Sequence, residues 1–380
     1  MNSSKLAVAI ASLLVALLTA GQPSPERLLA EDAALATPVD LALISGKTST
    51  VFRGVEQQSG FNLHSYLAVH RGRLWAMWSS SKVGEEDPDQ LIRYATSADG
   101  HRWSKAEVLV GDPDGPDQPK RWIARGLYVD EGRLTALAAL IDRAAYRDRG
   151  IGDVWGDLKL MRFVRKGEVW SPKGVFADDC MNNFPPVKLG SSFVMPCRDH
   201  GMNMFVALAE HPGPRTWKRI PLGAEPPFHR MDEPTLYTTG DGVAHLVIRD
   251  GARSGFLLRS ISTDRGLTWS RPVRTNYPDA TSKNFIARLS NGTYFLINNP
   301  HPKRRDPLAI STSRDGWTFS RPLAIRKGLP PRRFPGRAKG SGTAQYPHAV
   351  EHRGSLWVIY STNKEDIEIT EIPLAVLSQP

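Results

Sequence analysis

The residues with chemical potential in this sequence recur at equivalent positions. Six short apolar stretches, each folded about a turn, open on polar side chains. These are Asn62 and His64, Arg125, Asn182 and Asn183, Asp232 and Glu233, Lys283 and Asn284, and Gln345, Tyr346 and His348. The return halves close on a second set, Arg198, Asp199, His200, Arg249, Asp250, Asn299 and His301. Symmetry about the turns pairs some of them: Glu233 and Arg249 are equidistant from Asp241, and Asn183 and Arg198 straddle Gly190. Apolar hairpins need none of these groups at their openings. Amides, imidazoles and guanidiniums gathered in one place are the set that holds an oligosaccharide, and a guanidinium grips an acidic sugar's carboxylate through two parallel hydrogen bonds.

The elements that must position them repeat. Each unit is an apolar strand, a turn with glycine and a second apolar strand, as in HSYLAVHRGRLWAMWS from His64 and YPHAVEHRGSLWVIYS from Tyr346. The turn glycines Gly72, Gly132, Gly190, Gly242, Gly292 and Gly354 are separated by 60, 58, 52, 50 and 62 residues, the spacing of propeller blades. Between hairpins, three turns share a pattern: Ser97, Asp99, Gly100 and Trp103; Ser262, Asp264, Gly266, Thr268 and Trp269; and Ser313, Asp315, Gly316 and Phe319. In such a turn Asp accepts backbone hydrogen bonds, Gly takes a left-handed conformation and the aromatic packs between sheets. Trp170 and Trp217 mark two further blades that keep only the aromatic. The expected fold is therefore all-β, a six-bladed β-propeller over residues 49–376. The innermost strands of such a ring run in one direction, so the hairpin openings converge at one end of the central tunnel.

Composition narrows the function classes. Lys5 and an apolar run from Leu6 to Leu18, ending in small residues, read as a signal peptide over residues 1–21. A linker is expected over 22–48. The run is short for a membrane span, so the mature chain is expected to be secreted or periplasmic, off the membrane. A net charge of +10 suits an anionic partner, but the Lys and Arg residues are scattered and no nucleic-acid-binding motif is present. Neither an HExxH nor a CxxC motif occurs, so no metal or other cofactor is expected. Cys180 and Cys197 flank the Gly190 turn, where a disulfide or two buried thiols would both fit.

The chain resembles the sialidase superfamily of BNR, or Asp-box, propellers. The resemblance spans roughly residues 50 to 372 and is strongest from Asp232 to Trp269, where Ser262 to Trp269 matches S-x-D-x-G-x-T-W completely. It implies an exo-glycosidase that hydrolyses a terminal acidic or deoxy sugar from a glycan. Tyr346 would be the nucleophile, Glu233 the base that takes its proton, and Arg249 a ligand of the sugar carboxylate. Arg304 or Arg305 would supply another carboxylate contact, and Asp87 or Asp89 the acid/base group. The first blade opens on Phe61-Asn62-Leu63-His64 where the family has Arg-Ile-Pro. His64 therefore joins the catalytic candidates, beside Asn62, Arg125, Asn183, Arg198 and Lys283 as substrate-binding ones. Two alternatives use the same face. In a lyase of uronate-containing glycans, His64 or Tyr346 would remove the C5 proton while Arg125 or Asn62 neutralises the carboxylate. A non-catalytic propeller would only bind glycan or protein. A closed ring is expected to be a monomer.

Overall fold

The computed structural model describes residues 26–30, 41–85, 87, 89–111, 120–142, 156–222, 231–335 and 341–377. The expected signal peptide lies outside them, as does part of the expected linker. Among the described residues no helix is long and apolar enough to cross a membrane.

The strands form six antiparallel sheets, one per blade. Blade 1 is β2 (Phe61–His70), β3 (Arg73–Ser81), β4 (Leu91–Ser97) and β5 (Glu107–Val110); blade 2 is β6 (Lys120–Asp130), β7 (Arg133–Asp142), β8 (Lys159–Lys166) and β9 (Val169–Asp178). Blade 3 is β10 (Met181–Asn182), β11 (Val187–Leu189), β12 (Ser192–Arg198), β13 (Met204–Ala209) and β14 (Lys218–Pro221). Blade 4 is β15 (Met231–Thr238), β16 (Ala244–Asp250), β17 (Phe256–Ser262) and β18 (Val273–Pro278); blade 5 is β19 (Phe285–Arg288), β20 (Tyr294–Asn298), β21 (Leu308–Ser313) and β22 (Leu323–Arg326). Blade 6 is β23 (Ala344–His352), β24 (Ser355–Thr362), β25 (Asp366–Pro373) and, from the other end of the chain, β1 (Lys47–Phe52). Lys47 pairs with Glu371 and Ser49 with Ile369, so the first strand closes the last blade.

Both faces of a blade must be covered, and the buried side chains accordingly cluster between neighbours. Tyr66, Met77 and Ile92 of blade 1 pack on Leu127, Leu134 and Phe163 of blade 2. Across the closure, Trp357, Ile359 and Ile367 of blade 6 pack on Leu67, Leu74 and Trp78 of blade 1. The turns between hairpins lock this packing as expected. Asp99 Oδ1 accepts the His101 and Arg102 amides at 2.9 and 2.8 Å, Asp264 Oδ1 accepts the Thr268 amide at 2.9 Å, and Asp315 Oδ1 accepts those of Trp317 and Thr318 at 2.8 and 3.1 Å. Gly100 sits at φ +77°, and a Cβ there would overlap the Trp357 indole of the next blade.

Two details go beyond the sequence reading. Cys180 and Cys197 are joined in a disulfide, with Cα atoms 5.3 Å apart. The described parts of the expected linker lie on the blades: Leu28 and Leu29 are buried against Tyr237, Tyr277 and Phe319, and Leu41 against Ala309 and Ala324. The Asn276 amide reads this strap, its Oδ1 accepting the Leu28 and Leu29 amides and its Nδ2 donating to Leu29 O.

Candidate functional site: an arginine-rich axial cluster

Bulges in the innermost strands aim the site. Pairing slips between Leu63 and Tyr66 in β2, Ala124 and Gly126 in β6, Asp232 and Thr235 in β15, and Gln345 and His348 in β23. A bulge carries an unpaired residue and turns its side chain out of register. Here the displaced residues include His64, Arg125, Glu233 and Tyr346. Three of them are left-handed, with φ of +55° at His64, +43° at Glu233 and +61° at Tyr346. Outside glycine this costs of order 1–3 kcal/mol each, and the surrounding blades supply the compensation. Pro234 and Pro347 follow two of these residues, at positions where a missing ladder donor is tolerated.

The slips also revise the expected pairing. Arg249 stands opposite Asp232 rather than Glu233, and Arg198 stands opposite Met181 because the short β10 pairs with the end of β12. Side-chain reach restores the functional contacts. Arg249 Nη1 donates to Glu233 Oε2 at 2.5 Å and to the Tyr346 hydroxyl at 3.2 Å, and lies 3.5 Å from Asp232 Oδ2. Asp232 is shared, since it also binds the Arg198 guanidinium. Arg305 packs its guanidinium 5.5 Å from the centre of the Tyr346 ring, donates to Gln345 Oε1 and donates to Thr281 O at 2.8 Å. Arginines from blades 3, 4 and 5 thus surround one phenol and two carboxylates.

The electrostatics follow from burial and these contacts. Burial opposes ionisation of Glu233, but the Arg249 and Arg198 charges, with hydrogen bonds from Arg249 and Tyr346, outweigh it and hold the carboxyl well below its usual range. Burial, reinforced by the Glu233 charge, pushes the Tyr346 phenol far up, so it is protonated at rest. The ring of His64 meets that of Tyr346 edge-on at 5.3 Å. Burial and the Arg125 charge keep the imidazole well below its ordinary value, hence neutral. Its Nδ1 is 3.2 Å from Ser79 Oγ and its Nε2 3.6 Å from Glu85 Oε1, while Glu85 Oε2 accepts Lys364 Nζ at 2.6 Å.

A second layer borders the first. Lys283, 0% exposed, places Nζ 4.1 and 4.3 Å from the ring centres of Tyr66 and Phe184, and burial drives its ammonium well below the usual lysine value. The Tyr66 hydroxyl, held near the Arg125 charge, donates to Asn183 O at 2.7 Å. Among the described residues, Lys283 Nζ, Arg125 Nη1 and Asn183 Oδ1 are buried without a hydrogen-bond partner.

Three candidates fall elsewhere. Asn62 spends its amide on Ser59 O, Glu365 O and Trp78 Nε1, so it braces the blade 6 to blade 1 closure. Asp89 accepts the Lys82 amide at 2.8 Å, closing its own loop. Among the described residues of that loop, Glu85, four residues earlier, is the carboxylate that reaches His64. Arg304 is exposed, and Arg305 is the one of the pair turned towards Tyr346. Among the described residues no group of three or more His, Cys, Asp or Glu side chains is arranged to hold a metal ion.

A six-bladed ring with Asp-box turns and an axial cluster of Tyr, Glu and Arg is a sialidase-like propeller. The sequence matches the BNR repeat-like domain family over residues 72–359, and the chain belongs to that family. Among solved structures it is similar to the Hadza microbial sialidase Hz136, with TM-score 0.66 and 17% identity over 87% of this chain and 68% of that one. A Trypanosoma rangeli sialidase in complex with 2,3-difluorosialic acid, a covalent intermediate, gives 0.61 and 12% over 89% of this chain and 60% of that one. A protein of unknown function from Dyadobacter fermentans DSM 18053 gives 0.62 and 14% over 86% and 99%. These likenesses concern the fold. No curated protein matches the sequence.

Proposed function

We propose that the chain is an exported, monomeric, glycan-active enzyme that hydrolyses a terminal acidic sugar, with Tyr346 as nucleophile. The observation that carries this reading is the single Arg249 guanidinium held between Glu233 and the Tyr346 hydroxyl. At rest Glu233 is a weak base, because Arg249 stabilises its charge. A substrate carboxylate drawing Arg249 and Arg305 to itself weakens that hold, and Glu233 becomes basic enough to take the phenolic proton. Tyr346 Oη then bonds to the anomeric carbon as the bond from that carbon to the leaving oxygen breaks. The leaving oxygen takes its proton from a water molecule beside Glu85, whose Oε2 accepts Lys364 Nζ. Water enters by the reverse path, with Glu85 as base, and the proton on Glu233 returns to Tyr346. A nucleophile that stays neutral until its proton leaves meets less repulsion from an anionic sugar than a carboxylate would.

Neutral His64 beside Tyr346 favours one second reading, proton abstraction from a uronate followed by β-elimination. The test is incubation of the purified protein and of Tyr346→Phe with sialylated and uronate-terminated oligosaccharides, read by product mass and ultraviolet absorbance. Hydrated sugar released by the parent and lost in the variant supports the glycosidase. An absorbing unsaturated product would replace it with the lyase. Oligosaccharide binding without turnover would leave a binding propeller.

A further inference from the structure

A cleft of about 730 Å³ opens beside the axial cluster on blades 4 and 5. Its walls are the turn after β16, the segment before β19, the β20–β21 loop and the chain leading into β23. Four cationic side chains line it, Arg253, Lys303, Arg304 and Arg305, against one carboxylate, Asp306. That carboxylate is engaged, accepting the Gly328 amide at 3.1 and 3.2 Å. Among the described residues none of Arg253, Lys303 and Arg304 has an ion-pair partner.

The cleft is built in advance. His301 Nδ1 accepts the Lys303 and Arg304 amides at 2.9 and 3.0 Å, fixing the backbone that presents both cations. Asp250 accepts the Ala252 and Ser254 amides at 2.8 and 3.0 Å, holding the turn on which Arg253 adopts φ +63°. Arg305 belongs to both regions, for it lines the cleft while lying over the Tyr346 ring. No described lining residue is aromatic. Neutral sugars and unpaired bases are commonly held on aromatic faces, so this cleft selects by charge.

We propose that the cleft binds a second acidic sugar of the same glycan, making the substrate a polyanionic oligosaccharide rather than a chain with one acidic end. This rests on the axial cluster being the site where the terminal unit is held. Carboxylates of sialic or uronic acids would suit the cations equally, so both belong in the test.

The experiment combines Arg253→Asn, which tolerates the left-handed backbone, with Lys303→Ser. Kinetics are compared on an aryl sialoside, which has no second acidic unit, on a sialic acid tetramer and on an oligogalacturonate. The expected result is an aryl sialoside rate unchanged within about twofold, and a KM for one acidic oligomer raised about tenfold or more with kcat retained. The oligomer affected identifies the sugar class. Binding of both oligomers to Tyr346→Phe, with and without the cleft substitutions, is measured by calorimetry at low and roughly physiological salt. This arm reads the cleft even if no substrate turns over, which separates its failure from that of the catalytic reading. Unchanged KM and affinity in the double variant would overturn the proposal, as would equal affinity for a single-stranded oligonucleotide of the same charge.

Discussion

Arg249 touches two groups with opposite needs, a carboxylate that must gain a proton and a phenol that must lose one. Replacing it with a lysine keeps a positive charge but not the rigid planar group whose Nη1 meets both. In Arg249→Lys the Glu233 carboxyl should drift back up towards its usual range. The acidic limb of kcat/KM then moves to higher pH and KM rises, both read from a pH–rate profile. Asp279 offers a test independent of turnover. Burial raises its carboxyl to about 7, against partial relief from the Ser282 amide and Asn298. The folded state therefore keeps a proton that the unfolded chain releases near its ordinary 3.8. Stability should be highest below about pH 4, fall as pH rises towards 7 and level off above, by up to about 4 kcal/mol from this group alone. Denaturant midpoints across that range should flatten in Asp279→Asn. An unchanged slope would remove Asp279 as the cause. The types of Glu233, Arg249 and Tyr346 and their places in the repeat made them legible in the sequence. Glu85 was not, because a loop's path decides which of several carboxylates reaches inward. The choice between Arg304 and Arg305 likewise depends on which way one residue faces.

At the level of strands and turns, the repeat was open to reading because each hairpin carries its own glycine and each Asp-box its own hydrogen-bond logic. The bulges were harder to see. Counting outwards from Asp241 puts Glu233 opposite Arg249, and only the slip beside Pro234 transfers that place to Asp232. A proline next to a catalytic candidate near the start of an inner strand, as at Pro234 and Pro347, was the available signal. The Asp-box turns should behave as structural parts. Gly100→Ala forces an unfavourable φ and displaces Trp357, so a loss of about 2 kcal/mol or more is expected, seen as a lower Tm. Its kcat, measured well below that Tm, should match the parent.

The molecule as a whole is stapled in ways that a blade-by-blade reading understates. The Cys180–Cys197 disulfide encloses a loop close to the size for which cross-linking removes about 3 kcal/mol of unfolded-chain entropy, and reduction should lower stability by that order. The strap over blades 4 and 5 falls within the expected linker, yet Leu28 and Leu29 are as buried as any blade residue. Leu28→Ala should cost about 2–5 kcal/mol, measured by chemical denaturation. The closure of blade 6 has a consequence in time. While the chain emerges from its N-terminus, β1 waits unpaired until β25 exists, so the strand ladder of the last blade is completed last. Folding must end on that long-range match, the slow kind of contact. A chain cut before Asp366 should keep the packing of Trp357 and Ile359 on blade 1 but leave β1 without a partner and the last blade with a bare edge at β24.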